Sequence, residues 1–334
     1  VREVARLQGE RWALWRSNAD PVFPWLGVMI SSVVTGIWYW CTDQYIVQRT
    51  LAARSLQDAR RGALWGGFLK VWPVFIFLVP GMIGYALHLK GVIRIPEDAS
   101  GQVMGDMVFP TLVSELLPLG LRGLVVGGLL SALMSSLSSL FNSCATLFTV
   151  DVYEKLRPGR PERELVRVGR LATAVVVALG LLWIPIMKVM AESKAGLYDY
   201  LQNVQGFLAP PITAVFLLGL ASRRINAQGA VWGLAVGFVL GMGKLTLQSM
   251  VQSGALSAAT FLGAIGAFNG YYFSGLLFLV SVLVIVGVSL RTAPPPEEKI
   301  RGLTFGSVAA QDRADSRRTW DWRDVVLTTI VLGL

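Results

Sequence analysis

The side chains of this sequence that could do chemistry are Lys70, the pair Tyr39 and Trp40, the amides Gln202 and Gln205, and a serine ladder from Ser131 to Ser143. Lys70 is the one formal charge in the apolar run Gly62 to Leu87. It lies about nine residues in, roughly 13 Å at helical rise. A lysine at that depth in a membrane costs several kcal/mol unless it is paired, hydrated or facing a cavity. Its three donors suit a polyhydroxylated solute or a carboxylate. The alternative is snorkelling, the stem lying along apolar surface with the ammonium in water. Tyr39 and Trp40 belong to Trp38-Tyr39-Trp40-Cys41-Thr42-Asp43-Gln44, where aromatic and polar groups crowd one end of the charge-free run Pro21 to Thr42.

Ser131, Ser135, Ser138 and Asn142 recur at spacings of four, three and four, with Ser136, Ser139 and Ser143 beside them. On a helix these form a hydroxyl stripe. Small hydroxyl residues let helices approach closely, and hydroxyl and carbonyl oxygens are also hard ligands for an alkali cation. Ser135 and Ser136, with the Ala132 carbonyl one turn earlier, suit a sodium ion; the spacing leaves both readings open. Gln202, Asn203 and Gln205 place amides in an apolar segment, each offering a donor and an acceptor, unless they form a polar helix end at the interface. Pro210-Pro211 is expected to interrupt that helix and free carbonyls beside protein or a wet cavity.

These groups need a membrane to position them. The 334 residues are 54% hydrophobic and 15% charged, against about 25% charged for an average soluble domain. The net charge of +9 sits in short turns between apolar runs, which is a topology signal and excludes nucleic acid as a partner. Cys41 and Cys144 are distant, lack metal-ligand spacing and read as small buried hydrophobes; His88, the one histidine, supports no metal cluster and is expected at an interface. No nucleophile–base pair or phosphate loop is present, so neither an enzyme nor a cofactor is expected. Residues 1–20 do not read as a signal peptide, and none is expected within them. The chain starts at Val1 and stops soon after Asp324, so a piece of a longer membrane protein is expected.

The chain reads as a single transmembrane domain with eight spans at about 21–46, 62–88, 123–150, 168–188, 198–222, 228–247, 270–290 and 325–334, the last cut short. Pro73 and Pro80 are expected kinks, 110–121 a short surface helix, and 191–196 a linker. Gly229, Gly233, Gly237 and Gly241 form a close-packing stripe without chemistry, and Lys244 is expected to snorkel. Loops after spans one, three, five and seven carry 4, 6, 2 and 7 Lys and Arg, and the intervening loops few. The richer side is cytoplasmic by the positive-inside rule. The first span then runs from outside to inside, although Arg2, Arg6, Arg11 and Arg16 oppose it.

The motifs Ile37-Trp38-Tyr39-Trp40-Cys41-Thr42-Asp43-Gln44, Gly67-Phe68-Leu69-Lys70, Leu133-Met134-Ser135-Ser136-Leu137 and Leu197-Tyr198-Asp199-Tyr200-Leu201-Gln202 resemble the sodium:solute symporter family, in its sodium/glucose cotransporter branch. The likeness covers 22–230 in the family's order. It implies an all-α membrane fold: the second half of a five-plus-five inverted-repeat (LeuT-like) core plus additional C-terminal transmembrane helices. It implies that Tyr39 stacks on a sugar with Trp40 beside it, that Lys70 and Gln202 hydrogen-bond the sugar with Gln205 close by, and that Ala132, Ser135 and Ser136 contribute to a sodium site. Ser138 falls where some members hold a second sodium. Gly36, Gly206 and Phe207 depart from the polar residues common in sugar carriers and leave the particular hexose open.

The expected function is sodium-coupled symport of a sugar across the plasma membrane, with Na+ as coupling ion and the solute, sodium and lipid bilayer as partners. The alternatives are a sodium symporter for inositol, a carboxylate or an amino acid, and a non-transporting sugar sensor.

Overall fold

The computed structural model describes residues 15–97, 101, 103–191 and 196–333. Among them the regular structure is helical, apart from one antiparallel bridge between Glu97 and Val103. Six helical runs are long and apolar enough to cross a membrane: Leu56–Leu89, Leu119–Leu156, Glu162–Pro185, Tyr200–Ala221, Ala227–Gln252 and Gly270–Arg291. A bent pair, Trp25–Cys41 with Gln44–Leu51, makes a broken seventh. The chain is a multi-pass all-α membrane protein. It divides into two compact units, one built on Val71–Leu197 and the other on Gln8–Lys70 with Tyr198–Leu334.

In the second unit, Asp20 prepares the entry to the first helix. Its carboxylate accepts the N–H groups of Phe23 and Val22, which hold it below the usual aspartate range with help from Arg16. Helix α1 (Trp25–Cys41) buries Gly27, Ser31 and Val34, one stripe at helical spacing. Its end is written in Thr42-Asp43. The Thr42 N–H and hydroxyl both donate to the Trp38 carbonyl, and the Asp43 carboxylate accepts from Tyr45 N to start α2 (Gln44–Leu51) at a 52° bend. The expected span 21–46 is thus two helices, broken just past Tyr39 and Trp40. Ser55 caps α3 (Leu56–Leu69) by accepting from Asp58 N, and α3 ends at Lys70.

Helix α8 (Gly196–Ala221) runs unbroken through Pro210 and Pro211, contrary to the expected interruption. Both prolines are buried. They leave the Gly206 and Phe207 carbonyls without helical donors, and a neighbouring helix comes close to the Phe207 carbonyl. In α9 (Ala227–Gln252), a Cβ on Gly241 would collide with the Phe207 carbonyl oxygen, and one on Gly237 with the Pro211 ring. Bare glycine permits an approach at which a Cα–H meets the freed carbonyl. Gly229 and Gly233 receive Ser289 and Ile285 of α11 (Gly270–Arg291) in the same way. Asn226 caps α9 by accepting from Gly229 N, and its amide donates to Thr292 Oγ1 and the Ala293 carbonyl. Between α9 and α11 lies α10 (Phe261–Ala267).

A polar clasp closes this unit. Arg61 Nε donates to Asp324 at 3.0 Å, Arg61 also pairs with Asp321, and the Arg60 guanidinium lies 4.6 Å from the centre of the Trp320 ring. These residues join α3 to the turn that links α12 (Ala310–Arg318) to α13 (Trp322–Gly333), and to α13 itself.

In the first unit a π-helical turn, Val74–Leu78, follows Pro73 where a kink is expected, and leads into α4 (Val79–Leu89). Gly84 seats Val108 and Leu112 of α5 (Val108–Leu116). The expected surface helix 110–121 ends at Leu116 because Leu117 and Pro118 are extended, and α6 (Leu119–Thr146) starts anew. A second π-helical turn, Leu147–Tyr153, precedes α7 (Glu162–Ala191). Tyr153 donates its phenol to Glu164 at 2.5 Å. His88, at the end of α4, accepts the Ile95 N–H on Nδ1. Residues 192–195 of the expected linker lie outside the described residues, as do residues 1–14.

Candidate functional site

The break after α1 gathers three of the candidate residues. Helix α2 leads away from Thr42, and α3 brings Lys70 back to the end of α1. Lys70 Nζ stands 5.3 Å from the Tyr39 ring centre and 5.6 Å from that of Trp40. The two rings meet edge to face at 5.5 Å and 89°. Lys70 lies inside the membrane-crossing run Leu56–Leu89, as expected, at the C-cap of its first segment α3, its N–H donating to the Gly66 and Gly67 carbonyls and its side chain exposed. Tyr39 is half-buried and Trp40 exposed. A cation over exposed aromatic faces gains about 0.5–1 kcal/mol, enough to bias the ammonium toward the rings and too little to lock it there. Such a grouping can take the apolar face of a sugar ring on an aromatic surface and its hydroxyls on the N–H donors.

Cys41 is exposed beside this cluster, and Cys144 is half-buried. The expectation that Cys41 is a buried hydrophobe fails because it ends α1, where no described helix packs over it.

Gln202 is half-buried and Gln205 exposed on α8. Among the described residues no hydrogen bond or ring contact joins either to Tyr39, Trp40 or Lys70. Helix α8 instead meets α1 further from the break, where Thr213 Oγ1 donates to the Val34 carbonyl at 2.8 Å.

The serine ladder lies on α6 in the first unit. Ala132, Ser135, Ser136 and Ser138 are exposed, as is Asn142. The Ser135 carbonyl accepts from Ser139 Oγ at 3.1 Å, and Ser143, which is buried, donates to the Ser139 carbonyl. The ladder divides: Ser143 is buried, while Ser135, Ser136 and Ser138 are exposed.

Lys244 overturns the snorkelling expectation. It is 1% exposed, donates to Gly266 O at 2.8 Å and Gln248 Oε1 at 2.9 Å, and faces the rings of Phe207 and Phe273 at 5.6 and 5.8 Å. Among the described residues no carboxylate pairs with it. It borders an apolar cavity of about 610 Å³ between α9, α10 and α11. The carbonyl end of α10 holds the ammonium inside, a partner that charge and hydropathy alone do not reveal.

The sequence matches the model of the sodium:solute symporter family over residues 4–237. It is 39% identical over 312 residues to sodium/glucose cotransporter 4 of Danio rerio, covering 90% of this chain and 47% of that protein. Sodium/glucose cotransporter 1 of Sus scrofa is 38% identical over 89% of the chain and 46% of its own length. A sodium/mannose cotransporter of Bos taurus is 40% identical over 93% and 53%. The chain spans about half the length of the curated relatives it matches.

Proposed function

The chain belongs to the sodium:solute symporter family, and from that premise we propose that the protein carries a sugar across the plasma membrane coupled to sodium entry. The observation that carries the sugar reading is the convergence of Lys70 on Tyr39 and Trp40 at the broken end of α1. A broken membrane helix beside polar side chains is a recurrent binding device of secondary transporters. The relatives named for glucose and mannose support a hexose as the solute.

In this reading Tyr39 and Trp40 form an aromatic floor, and Lys70, Gln202 and Gln205 hydrogen-bond the hydroxyls. Sodium, the sole inorganic requirement, is held by the Ala132 carbonyl and the hydroxyls of Ser135 and Ser136, with Ser138 serving a second ion. No chemical step or organic cofactor is needed. The chain supplies the second repeat of an inverted-repeat core in one transmembrane domain, and residues outside it complete both sites. Sodium binding favours the state that binds sugar, and the coupling is reciprocal. Uptake of labelled glucose and mannose by cells expressing the protein tests this. Sodium-dependent accumulation supports the reading, and accumulation unaffected by replacing sodium with choline contradicts it.

A further inference from the structure

Helix α3 leads to Lys70 yet buries none of its residues, so its place depends on what lies alongside it. Helix α13 meets it at two levels. At the first, Arg61 Nε donates to the wholly buried Asp324 at 3.0 Å, and Arg60 donates to Thr319 Oγ1 of the preceding turn at 3.2 Å. At the second, a Cβ built on Gly67 would stand 3.3 Å from Val331 Cγ1. Arg61 to Gly67 climbs about 9 Å of α3, and Asp324 to Val331 about 10 Å of α13. The two helices therefore run side by side in the same direction, tied at one level by an ion pair and at the other by a close apolar seam.

The seam ends one turn short of the residues assigned to the solute. Lys70 N–H donates to the Gly67 carbonyl, and Lys70 Nζ stands over Tyr39 and Trp40. A cation–π contact at an exposed site is too weak to fix a flexible ammonium, so the backbone at Gly67 decides whether Lys70 reaches the rings. None of the residues assigned to sugar or sodium lies on α13. We propose that α13 is a positioning element for the sugar site: Asp324 and Val331 hold α3 at the depth and rotation that deliver Lys70 to Tyr39. This rests on the reading of Lys70 as a sugar ligand. Asp324 and Val331 act through Lys70 and not on the solute.

The test is a pair of double-mutant cycles on the full protein, read by initial uptake of labelled glucose at matched surface expression. Asp324→Asn breaks the ion pair. Val331→Ala opens the seam with the ion pair intact, and so keeps the test alive if Asp324→Asn folds poorly. Each is expected to raise KM several-fold, with maximal uptake kept and the sodium dependence at saturating glucose unchanged. In a Lys70→Met background neither substitution raises KM further, because the side chain they place is gone. If KM stays at the wild-type value in both variants, or rises equally with and without Lys70, α13 does not place Lys70 and the inference fails. A fall in maximal uptake with KM unchanged marks a purely structural brace and overturns it as well. A Lys70→Met variant with wild-type KM is a different failure: it overturns the sugar reading of Lys70, and the inference falls with it.

Discussion

Lys70 Nζ and the Tyr39 ring stand 5.3 Å apart because α1 stops at Thr42 and α3 stops at Lys70. Each ending has a local cause: the Thr42 hydroxyl bonded to the Trp38 carbonyl on one side, and the run into Val71-Trp72-Pro73 on the other. Two helix ends, rather than two helix faces, make the contact.

Replacing Lys70 with methionine keeps the length of the side chain and removes its donors. If the ammonium holds sugar hydroxyls, KM for uptake rises about tenfold, the effect of losing roughly 1.4 kcal/mol of binding, with surface expression unchanged. Tyr39→Ala acts in the same direction and Tyr39→Phe less so. Uptake kinetics of the three variants check this.

Cys41 is exposed next to this cluster. A small membrane-permeant maleimide is expected to modify it in preference to Cys144, and saturating sugar to slow that reaction. Mass spectrometry of the labelled peptides, with and without sugar, gives both answers.

Much of this arrangement is legible in the sequence, though unevenly. The apolar runs, the glycine stripe of α9 and the crowding of Trp38 to Gln44 at one helix end follow from periodicity and composition. The seam at Pro210-Pro211 does not, because proline chemistry predicts freed carbonyls but cannot say that Gly241 will receive one of them. The snorkelling expectation for Lys244 fails for a related reason. Its partners, Gly266 O and Gln248, accept hydrogen bonds from the buried ammonium, and a backbone carbonyl leaves no mark in a pattern of residue types. The spacing of Ser135 and Ser136 is legible as a hydroxyl stripe, and both residues are exposed on α6.

The glycine stripe gives a sharp contrast within one helix. Gly241→Ala forces a Cβ against the Phe207 carbonyl, whereas Gly243 has nothing within 4 Å of its would-be Cβ. Overpacking costs about 1–3 kcal/mol, so Gly241→Ala is expected to lower Tm and Gly243→Ala to leave it unchanged or raise it. Melting of the two detergent-solubilised variants decides.

The clasp between Arg61 and Asp324 has a pH signature. The Arg61 hydrogen bond, aided by the Asp321 N–H, holds the Asp324 carboxyl below the ordinary aspartate value. A depressed carboxylate stabilises the fold fully above the unfolded pKa of about 3.9 and loses that contribution as pH falls through the lower folded value. Asp324→Asn is therefore expected to reduce Tm at pH 7, the gap from wild type closing as pH falls below about 4. Melting curves from pH 7 to 3 check the sign.

The account turns on sodium meeting Ser135 and Ser136 of α6 while sugar meets the end of α1. The most direct measurement is initial uptake of labelled glucose against sodium concentration, for wild type and the Ser135→Ala/Ser136→Ala double variant at matched surface expression. The account predicts saturable dependence on sodium in wild type, and in the variant uptake that is abolished or needs at least tenfold more sodium. Uptake that is the same in sodium and choline, or a variant with the wild-type sodium curve, would contradict it.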